Sequence, residues 1–583
     1  MTYRPTLMGT KGMIATEHYL SAEAGMRILR AGGNAFDAAV AAALAEGVLN
    51  PHMHTFGGEL SALAYSAADK KVFSINGNTV APKAATIEWC QQHDITLLPF
   101  NGVISAGPCA APDAYLSVLQ RLGTCSFTQV VGPALELAQD GFPMHAALRG
   151  PAPEYLNLDF SIAGNAERFQ KHWPSSVKVY LPGGRLPDVG QLLTNQDLAR
   201  TFRRLITAEE QCTGDRIGSL KAVRAAFYEG EIAQIIAAHS KEYAGLVTAD
   251  DLATFHCQIE EPATLSYHGY DVYKCGLWSQ GPVFLQQLAL LEGFDLNNMG
   301  HNSADYIHTV TEAAKLAFAD REQYYGDPDF VDVPLAGLLS KDYAASRREL
   351  IDNGRASLDQ RPGNPRTGAA LLEGEEVFAA RNWGPGTVYV TVIDKERNMA
   401  SFTPSGAWIP SSPVIDGLGF PLGTRVQMFF LDARHPNALV PGKRPRTTLT
   451  PTLVMRDGKP CMVFGTPGGD QQDQWTLQFF LNVANFGMEV QDAIESPRFS
   501  TAHFPSSFSP HASVPGLLRV ENRVPEDVCR ELKSRGHEIE VKPAWSEGDV
   551  LGIRIDKKHG TLHGGADLRG EYSKRMPSHI IAW

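Results

Sequence analysis

The chain has 583 residues and a formal net charge of -12 at pH 7. That length allows about four average domains, although one large layered α/β unit can take up most of it. Hydrophobic residues make up 43% and charged residues 20%, as in a globular protein, and no apolar run approaches the roughly 18 to 20 residues of a membrane helix. The acidic balance and the short basic clusters argue against a nucleic-acid partner. We therefore expect a small-molecule partner and no membrane association.

The amino-terminal stretch and the cysteines favour a cytoplasmic protein without cofactors. MTYRPTLMGTKGM lacks the apolar core and cleavage site of a secretory signal. The eight cysteines form no Cys-x-x-Cys pair, so we predict neither zinc nor a disulfide framework, and expect buried thiols. His52-Met53-His54 has a metal-like spacing but no third ligand nearby, so no metal is predicted. The Gly57-Gly58 turn lacks the lysine and Ser/Thr of a phosphate loop, so no nucleotide is predicted.

The first predicted elements are a short strand at 13–15 and a pair of helices. Ser21 is the candidate N-cap of the first helix, which stops at Gly32-Gly33. Asn34 is the candidate N-cap of the second helix, with Asp37 three residues later as its capping-box partner. Apolar residues at i, i+4 spacing predict one buried face on the second helix: Phe36, Val40, Ala43, Leu44 and Val48.

The longest predicted helix runs from Ser303 to about Tyr325, where a Gly-Asp-Pro stop signal follows. Further on, residues 353–385 are polar and rich in glycine and proline, as in NGRASLDQRPGNPRTG and RNWGPG. This composition is typical of a mobile connector, and a processing site would suit such a segment.

Gly386-Thr387-Val388 opens the stretch GTVYVTVIDKERN, whose alternating apolar residues predict a strand at 388–393. Thr387 would stand at the head of that strand. If the Gly386–Thr387 bond were cut, Thr387 would carry a hydroxyl nucleophile and a free α-amine, whose usual pKa of roughly 7.7 to 8.0 lets it act as the base. A threonine after Pro-Gly is most often only a strand former after a turn, so the pattern alone leaves both interpretations open.

Four separated blocks in the chain decide between these interpretations. They are GMIATEHYLSAEAGMRILRAGGNAFDAAVAAALAEGVLNPH with HTFGGEL, then HNSADYIHTVTEAAKLAFADREQYYGDP, PGKRPRTTLTPTLVM and FGTPGGDQQDQ. Together, in this order, they resemble the γ-glutamyltransferase (glutathione hydrolase) family of N-terminal-nucleophile hydrolases over nearly the whole chain. No single block would be specific, since alanine-rich helices and Gly-Gly turns are common.

The resemblance implies a fold and a maturation. The expected fold is a four-layer αββα sandwich, two sheets between helical layers. The proenzyme would cut itself before Thr387 into a large subunit of residues 1–386, whose last part at about 353–386 is the mobile connector, and a small subunit of residues 387–583. Both subunits come from one chain, and further oligomerisation is left open.

The resemblance also implies site residues. Thr387 would attack an amide carbonyl and form an acyl-threonine intermediate. Gly468 and Gly469 match the family's oxyanion pair, each N–H donor being worth about 2.7 to 4 kcal/mol. Ser405 matches a hydroxyl that bonds to the nucleophile and assists self-cleavage, usually a threonine. Two further matches, Thr447 and Thr448, correspond to residues that hold the substrate's carboxylate or line its pocket.

The substrate clamps of the family's γ-glutamyl enzymes are altered. Asn78 stands where an arginine holds the substrate's α-carboxylate, Met428 where an acidic residue accepts the α-ammonium group, and Ala407 where an asparagine follows the helper hydroxyl. An unpaired buried charge costs several kcal/mol, so we expect poor γ-glutamyl activity. Arg425 is the candidate replacement clamp for a carboxylate, or else a solvated surface arginine.

Three functions stay open at this stage. The first is an amide hydrolase or acyltransferase acting on γ-glutamyl compounds such as glutathione. The second is a divergent amidohydrolase or acylase for an oxamate-like or acyl side-chain amide. The third is an uncleaved, non-catalytic binding protein of the same family.

Overall fold

The structure is a computed structural model that describes residues 2–150, 154–155, 158–367, 386–569 and 577–583. Within these ranges the helices are α1 Tyr19–Arg30, α2 Ala35–Leu49, α3 Ile87–Gln92, α4 Ala111–Leu122, α5 Phe127–Asp140, α6 Ala146–Arg149, α7 Ile162–His172, α8 Pro174–Tyr180, α9 Gln196–Gln211, α10 Arg216–Tyr228, α11 Glu231–Glu242, α12 Ala249–Thr254, α13 Gly281–Leu291, α14 Leu296–Met299, α15 Ala304–Tyr324, α16 Leu335–Leu338, α17 Lys341–Arg348, α18 Gln472–Ala484, α19 Val490–Glu495 and α20 Glu526–Ser534.

The strands are β1 Leu7–Gly9, β2 Met13–Thr16, β3 Glu59–Ser66, β4 Lys71–Gly77, β5 Phe142–Pro143, β6 Glu154–Tyr155, β7 Leu158–Asp159, β8 Leu192–Leu193, β9 Gln258–Glu260, β10 Ala263–Tyr267, β11 Tyr270–Lys274, β12 Val390–Ile393, β13 Met399–Ser405, β14 Thr452–Arg456, β15 Lys459–Gly465, β16 Phe499–Thr501, β17 Leu517–Glu521, β18 Glu538–Lys542, β19 Leu551–Ile555, β20 Leu562–Ala566 and β21 His579–Ala582.

Two seven-stranded antiparallel sheets form the centre of the molecule. The first has the order β21-β2-β12-β13-β3-β4-β9 and the second the order β1-β20-β19-β15-β14-β11-β10. In the first sheet β12 pairs with β13 in the register Val390 to Phe402, and with β2 in the register Val390 to Thr16. A smaller sheet, β16-β17-β18, lies outside this pair.

The layers are those of the predicted αββα sandwich, which the structure confirms. The facing sides of the two sheets share an apolar core that includes Met13, Leu63, Leu453, Val463 and Ile553. Helices α1, α2 and α4 cover the first sheet, and α5 packs on α2. Helices α13, α18 and α19 cover the second, and α15 packs on α13. Each sheet thus buries both faces, one against the other sheet and one against helices.

The structure confirms two predicted helix starts and corrects two other predictions, one on the start of α1 and one on the burial of α2. Asn34 caps α2 in a capping box with Asp37, and Ser303 caps α15. The prediction of Ser21 as the first N-cap was wrong: the extended residue His18 accepts the Leu20 N–H on its side chain, and α1 starts at Tyr19. The prediction of one buried face on α2 was also wrong, because α1, α4, α5 and the sheet surround it and all its residues are buried.

The described part of the predicted connector, residues 353–367, is bonded to the body of the molecule. The Ala356 N–H donates to the Arg535 carbonyl (2.8 Å), and the Gly363 N–H donates to Asp320 (2.8 Å). The rest of that predicted connector, residues 368–385, lies outside the described residues.

Among the described residues, no helix is long and apolar enough to span a membrane. All eight cysteines are free thiols, and those at 90, 109, 275 and 461 are buried. The other four are partly exposed, so the expectation of buried thiols holds for half of them.

Candidate active site

Thr387 lies at the entry of the strand that the sequence predicts. Thr387 pairs with Ser405 of β13 in an antiparallel bridge, and the Val388 N–H donates to the Pro404 carbonyl (3.0 Å). The regular strand β12 starts at Val390, two residues after the predicted start. Thr387 is 3% exposed, so its hydroxyl is held inside the molecule.

Ser405 brings three groups of the candidate site together. Its Oγ lies 3.1 Å from Thr387 Oγ1 and donates to the Gly386 carbonyl oxygen (3.0 Å). It also accepts a hydrogen bond from Arg425 Nη2 (2.5 Å). The predicted nucleophile, the predicted helper hydroxyl and the predicted clamp are therefore direct neighbours around the Gly386–Thr387 bond.

Arg425 is buried rather than solvated, so its interpretation as a surface arginine was wrong. It is 2% exposed and forms an ion pair with Glu59 of β3, which is 1% exposed. Burial lowers the pKa of Arg425, and the Glu59 charge opposes that shift. Burial likewise raises the pKa of Glu59 against the effect of Arg425. The role of Arg425 as a carboxylate clamp stays a prediction, because in the uncut chain Glu59 and Ser405 already engage its guanidinium.

Trp408 adds a second donor at the Gly386 carbonyl. Its Nε1–H donates to Gly386 O at 2.6 Å, and its ring lies 4.7 Å from the guanidinium carbon of Arg425. Around this ring is an apolar group that we call the aromatic cluster: Phe100, Phe160, Trp408, Met428 and Phe508. The cluster makes one side of the candidate site apolar.

His54 contacts the end of β13 at Ser405. Its Nδ1 lies 3.0 Å from the Ser405 carbonyl and its Nε2 lies 2.8 Å from the Tyr115 hydroxyl. Burial, with a smaller effect of Arg425, lowers the pKa of His54 to about 4, so the ring is neutral at pH 7. A Cβ on Gly58 would lie 2.2 Å from the Ser405 carbonyl oxygen, so the predicted Gly57-Gly58 turn serves close backbone approach.

Gly468 and Gly469 follow the end of β15 and lead into α18. Their φ angles are 131° and 59°, in the left-handed region that favours glycine. A Cβ on Gly468 would lie 2.2 Å from the Trp475 ring, so this position has room for glycine only. Gly468 precedes a short 3-10 helix, Gly469–Gln471, where backbone N–H groups lack helical partners. Such groups are suited to hold a developing oxyanion.

The glycine pair is held in place through Asp470. This carboxylate forms an ion pair with the fully buried Arg321 of α15. It also accepts hydrogen bonds from Ser507 N (2.9 Å) and Ser507 Oγ (2.6 Å). The residue after the glycine pair is thus tied to two other parts of the chain.

Tyr389 connects the two halves of the candidate site. A Cβ on Gly465, the last residue of β15, would lie 2.3 Å from the Tyr389 ring. Tyr389, which is two residues after Thr387, therefore packs directly on the end of β15. That end lies three residues before Gly468. The contact links the strand that precedes the glycine pair to the segment that follows Thr387.

Thr447 and Thr448 lie on the loop before β14, and Asn78, just after β4, is bonded to that loop. The Thr447 N–H donates to the Trp278 carbonyl (2.9 Å). The Thr448 hydroxyl is fully buried and makes no hydrogen bond within the described residues. Asn78 Nδ2 donates to the Pro445 carbonyl (2.5 Å), which ties Asn78 to the loop that carries both threonines.

One group among the described residues has the spacing of metal ligands: His308, Glu312 and His537. His308 Nδ1 bonds to His537 and its Nε2 bonds to the Asp352 carbonyl. Glu312 pairs with the cations of Lys315 and Arg361. These partners neutralise the carboxylate and engage the imidazole, so the group does not fit a metal ion.

Sequence reasoning missed Glu59, Trp408 and Arg321. Glu59 and Trp408 stand in the stretches HTFGGEL and SGAWIPSS, where neither residue type signals a role by itself. A buried acid at the start of β3 becomes meaningful only when β3 is placed beside β13, which happens through long-range pairing. The one signal that could have pointed to Glu59 is that a buried Arg425 would need an acidic partner.

Comparisons with known proteins identify the family of the chain. A family model described as gamma-glutamyltranspeptidase matches residues 21–575. The chain belongs to the γ-glutamyltranspeptidase family. Within that family it is similar to the glutathione hydrolase-like YwrD proenzyme of Bacillus subtilis (strain 168), with 32% identity over 570 residues, 97% of this chain and 98% of that protein.

Two solved structures match the whole chain. The structure of LmbA2991HD has a TM-score of 0.91 and 40% identity, and the match covers 100% of both chains. The cephalosporin acylase from Bacillus halodurans has a TM-score of 0.85 and 29% identity, covering 100% of this chain and 98% of that one. The chain is thus an N-terminal-nucleophile amidohydrolase of the γ-glutamyltranspeptidase family.

Proposed function

We propose that the chain cuts itself between Gly386 and Thr387 and then uses Thr387 to hydrolyse a small amide whose acyl group carries no charge. The large subunit would be residues 1–386 and the small subunit residues 387–583. The observation that carries the proposal is the buried contact of Thr387 with Ser405, whose hydroxyl also bonds to the Gly386 carbonyl.

The chemistry follows from this placement. After cleavage, the α-amine of Thr387 takes the proton of its own hydroxyl, and Oγ1 attacks the substrate's amide carbon. The N–H groups at Gly468 and Gly469 hold the negative charge that develops on the carbonyl oxygen. The amine leaves with a proton, and water then hydrolyses the acyl-threonine ester and restores the hydroxyl.

The aromatic cluster supports an uncharged acyl group. Met428 stands at the position where we expected an acidic partner for an ammonium group, and it packs among aromatic rings. Trp408 of the same cluster reaches the Gly386 carbonyl. Departure of the segment that ends at Gly386 would leave its place open for a substrate acyl group, with this apolar wall on one side. A charged group placed there would lose its hydration without gaining a partner.

A γ-glutamyl compound is the second candidate. The Glu59–Arg425 pair offers one acid and one base beside Ser405, and an amino-acid head group needs one partner of each sign. The similarity to a glutathione hydrolase-like protein supports the same alternative. Against it, both charges are already paired with each other and buried.

The first test is intact mass spectrometry of the wild type beside Thr387→Ala and Thr387→Ser. We expect fragments of 386 and 197 residues from the wild type, the same fragments from Thr387→Ser, which keeps a hydroxyl, and one uncut chain from Thr387→Ala. An uncut wild type would remove the free-amine base and favour the non-catalytic binding protein.

The second test uses three p-nitroanilides that share one leaving group. The γ-glutamyl compound carries both charges, the glutaryl compound keeps only the carboxylate, and the butyryl compound has neither. We expect the highest kcat/KM for the butyryl anilide, by at least about tenfold, since charged groups would be desolvated without partners. A preference for the glutaryl anilide would instead support Arg425 as a clamp, and a preference for the γ-glutamyl anilide would support the second candidate.

A further inference from the structure

Two side-chain donors converge on the carbonyl oxygen of Gly386, which belongs to the peptide bond that the proposed self-cleavage breaks. Trp408 Nε1 lies 2.6 Å and Ser405 Oγ 3.0 Å from this oxygen. Both side chains are fully buried. Two donors at hydrogen-bond distance in a buried site are the arrangement that stabilises an oxyanion in acyl transfer.

The bonding of Ser405 defines where its proton points. Its Oγ has three neighbours: Gly386 O, Thr387 Oγ1 and Arg425 Nη2. A hydroxyl has one proton and two lone pairs, a carbonyl oxygen can only accept, and a guanidinium can only donate. The Ser405 proton therefore goes to Gly386 O, and its lone pairs accept from Arg425 and from the Thr387 hydroxyl.

Arg425 holds both donors. It bonds to Ser405, and its guanidinium lies under the Trp408 ring at 4.7 Å, with Phe508 at 5.6 Å. Glu59 forms the ion pair that makes this buried cation tolerable. Arg425 is thus a positioning residue, with its positive charge next to the hydroxyl that donates to the scissile carbonyl.

We propose that Trp408 and Ser405 form a second oxyanion site, used for self-cleavage and separate from the Gly468-Gly469 pair used for substrates. The proposal rests on the proposed self-cleavage. It assigns to Trp408 a catalytic role in maturation, since its N–H touches a reacting atom. The two oxyanion sites would then act in succession, one in the proenzyme and one in the mature enzyme.

The step balances without any co-reactant except water. Thr387 Oγ1 bonds to the Gly386 carbonyl carbon while its proton passes to Ser405 Oγ, and Ser405 gives its own proton to Gly386 O. The negative charge that develops on this oxygen during the attack is stabilised by Ser405 and by the Trp408 N–H. When the carbonyl re-forms, its proton returns to Ser405, which passes one proton to the Thr387 nitrogen as the C–N bond breaks. The products are an ester and a primary amine. Water hydrolyses the ester to the Gly386 carboxylate and a free Thr387 hydroxyl.

The experiment is a time course of the fragments in Trp408→Phe, which keeps a ring and removes the N–H. We expect self-cleavage to slow by about 100-fold, so that uncut chain accumulates. Trp278→Phe is the matched control, since Trp278 is equally buried and its N–H donates to Glu260 instead. This control variant should be cut at the wild-type rate.

A second variant separates the N–H from packing. Replacement of Trp408 by 3-benzothienylalanine, introduced at that one codon, keeps the bicyclic shape and lacks the N–H. Equal slowing in both Trp408 variants supports the proposal, whereas cleavage of the benzothienyl protein at the wild-type rate overturns it. An uncut wild type would contradict the proposed self-cleavage itself, while a cut wild type with a rapidly cut Trp408→Phe would contradict only the second oxyanion site.

Discussion

The candidate site contains two buried arginine–carboxylate pairs in different surroundings. All three guanidinium nitrogens of Arg321 have polar partners, among them Asp470, Gln280 Oε1 (3.0 Å) and the Pro505 carbonyl (2.7 Å). Arg425 pairs with Glu59 but otherwise faces aromatic rings, and it gives one N–H to a hydroxyl beside the scissile bond.

The difference shows how one kind of ion pair serves two purposes. The Arg321 pair ties the residue after the glycine pair to α15, so it fixes backbone. The Arg425 pair holds the guanidinium charge next to the Ser405 hydroxyl, so it affects a group that takes part in the proposed self-cleavage. Variants of the first pair should therefore change stability alone, and variants of the second pair should also change the rate of self-cleavage.

The largest expected effect belongs to the Arg321 pair. Arg321→Met leaves the Asp470 carboxylate buried without its partner, which should lower the free energy of unfolding by about 3 to 5 kcal/mol. Denaturant unfolding in the uncut Thr387→Ala background measures this on one chain. Arg27→Met is the control, because the Arg27–Glu136 pair is exposed and should contribute less than about 1 kcal/mol. Similar losses in both variants would contradict the structural role of Arg321.

The glycine pair that Asp470 holds gives the next prediction. Gly468→Ala places a Cβ against the Trp475 ring at a positive φ, so the loop must shift. We expect kcat of amide hydrolysis to fall about 100- to 1,000-fold, the loss seen when an oxyanion donor is removed. Gly487→Ala, which also has a positive φ but meets nothing within 4 Å, should keep most of the activity. An active Gly468→Ala would exclude this loop from the oxyanion site.

A pH effect tests the support behind Ser405. The pKa of His54 is about 4 in the folded chain and roughly 6.5 when unfolded, so the unfolded state binds more protons between these values. The stability that a neutral His54 provides is complete above pH 6.5 and is lost as the pH falls toward 4, by at most about 3 kcal/mol. His54→Gln should reduce this slope in unfolding curves between pH 4 and 7. An unchanged slope in His54→Gln would refute the assignment.

The smallest effect compares the two carboxylates directly. Glu59→Gln keeps the shape and removes the charge that holds Arg425. In addition to the stability lost by an unpaired buried cation, we expect about tenfold slower self-cleavage from a misplaced Ser405 donor. Asp470→Asn should lower stability and leave the cleavage rate within about twofold. The measurement is a time course of fragment formation for the two variants side by side. Equal slowing of self-cleavage in both variants would contradict the distinction between the two ion pairs.

Much of the fold was predictable because its signals are local. The capping box at Asn34, the cap at Ser303 and the strand after Thr387 all depend on residues a few positions apart. The start of α1 was missed because His18, an uncommon cap, takes the role that Ser21 was expected to fill. The full burial of α2 depends on neighbours that no helical pattern can show.

The candidate site was predictable only in part. Thr387, Ser405 and the glycine pair were named from motifs, and the structure places the first two in contact. Glu59 and Trp408 reach the site because β3 pairs with β13 and because the chain folds back after β13. Such contacts come from tertiary packing, which composition and spacing do not encode.

The strand order has a consequence for the cut molecule. In the first sheet β12 and β13 lie between β2 and β3, and in the second β14, β15, β19 and β20 lie between β1 and β11. A cut after Gly386 would therefore leave two polypeptides that each contribute strands to both sheets. They could not come apart without losing both sheets, yet once unfolded they would have to find each other by diffusion. Unfolding of the mature form should thus depend on concentration and be irreversible in dilute solution, so its lifetime would be set by a rate rather than by an equilibrium.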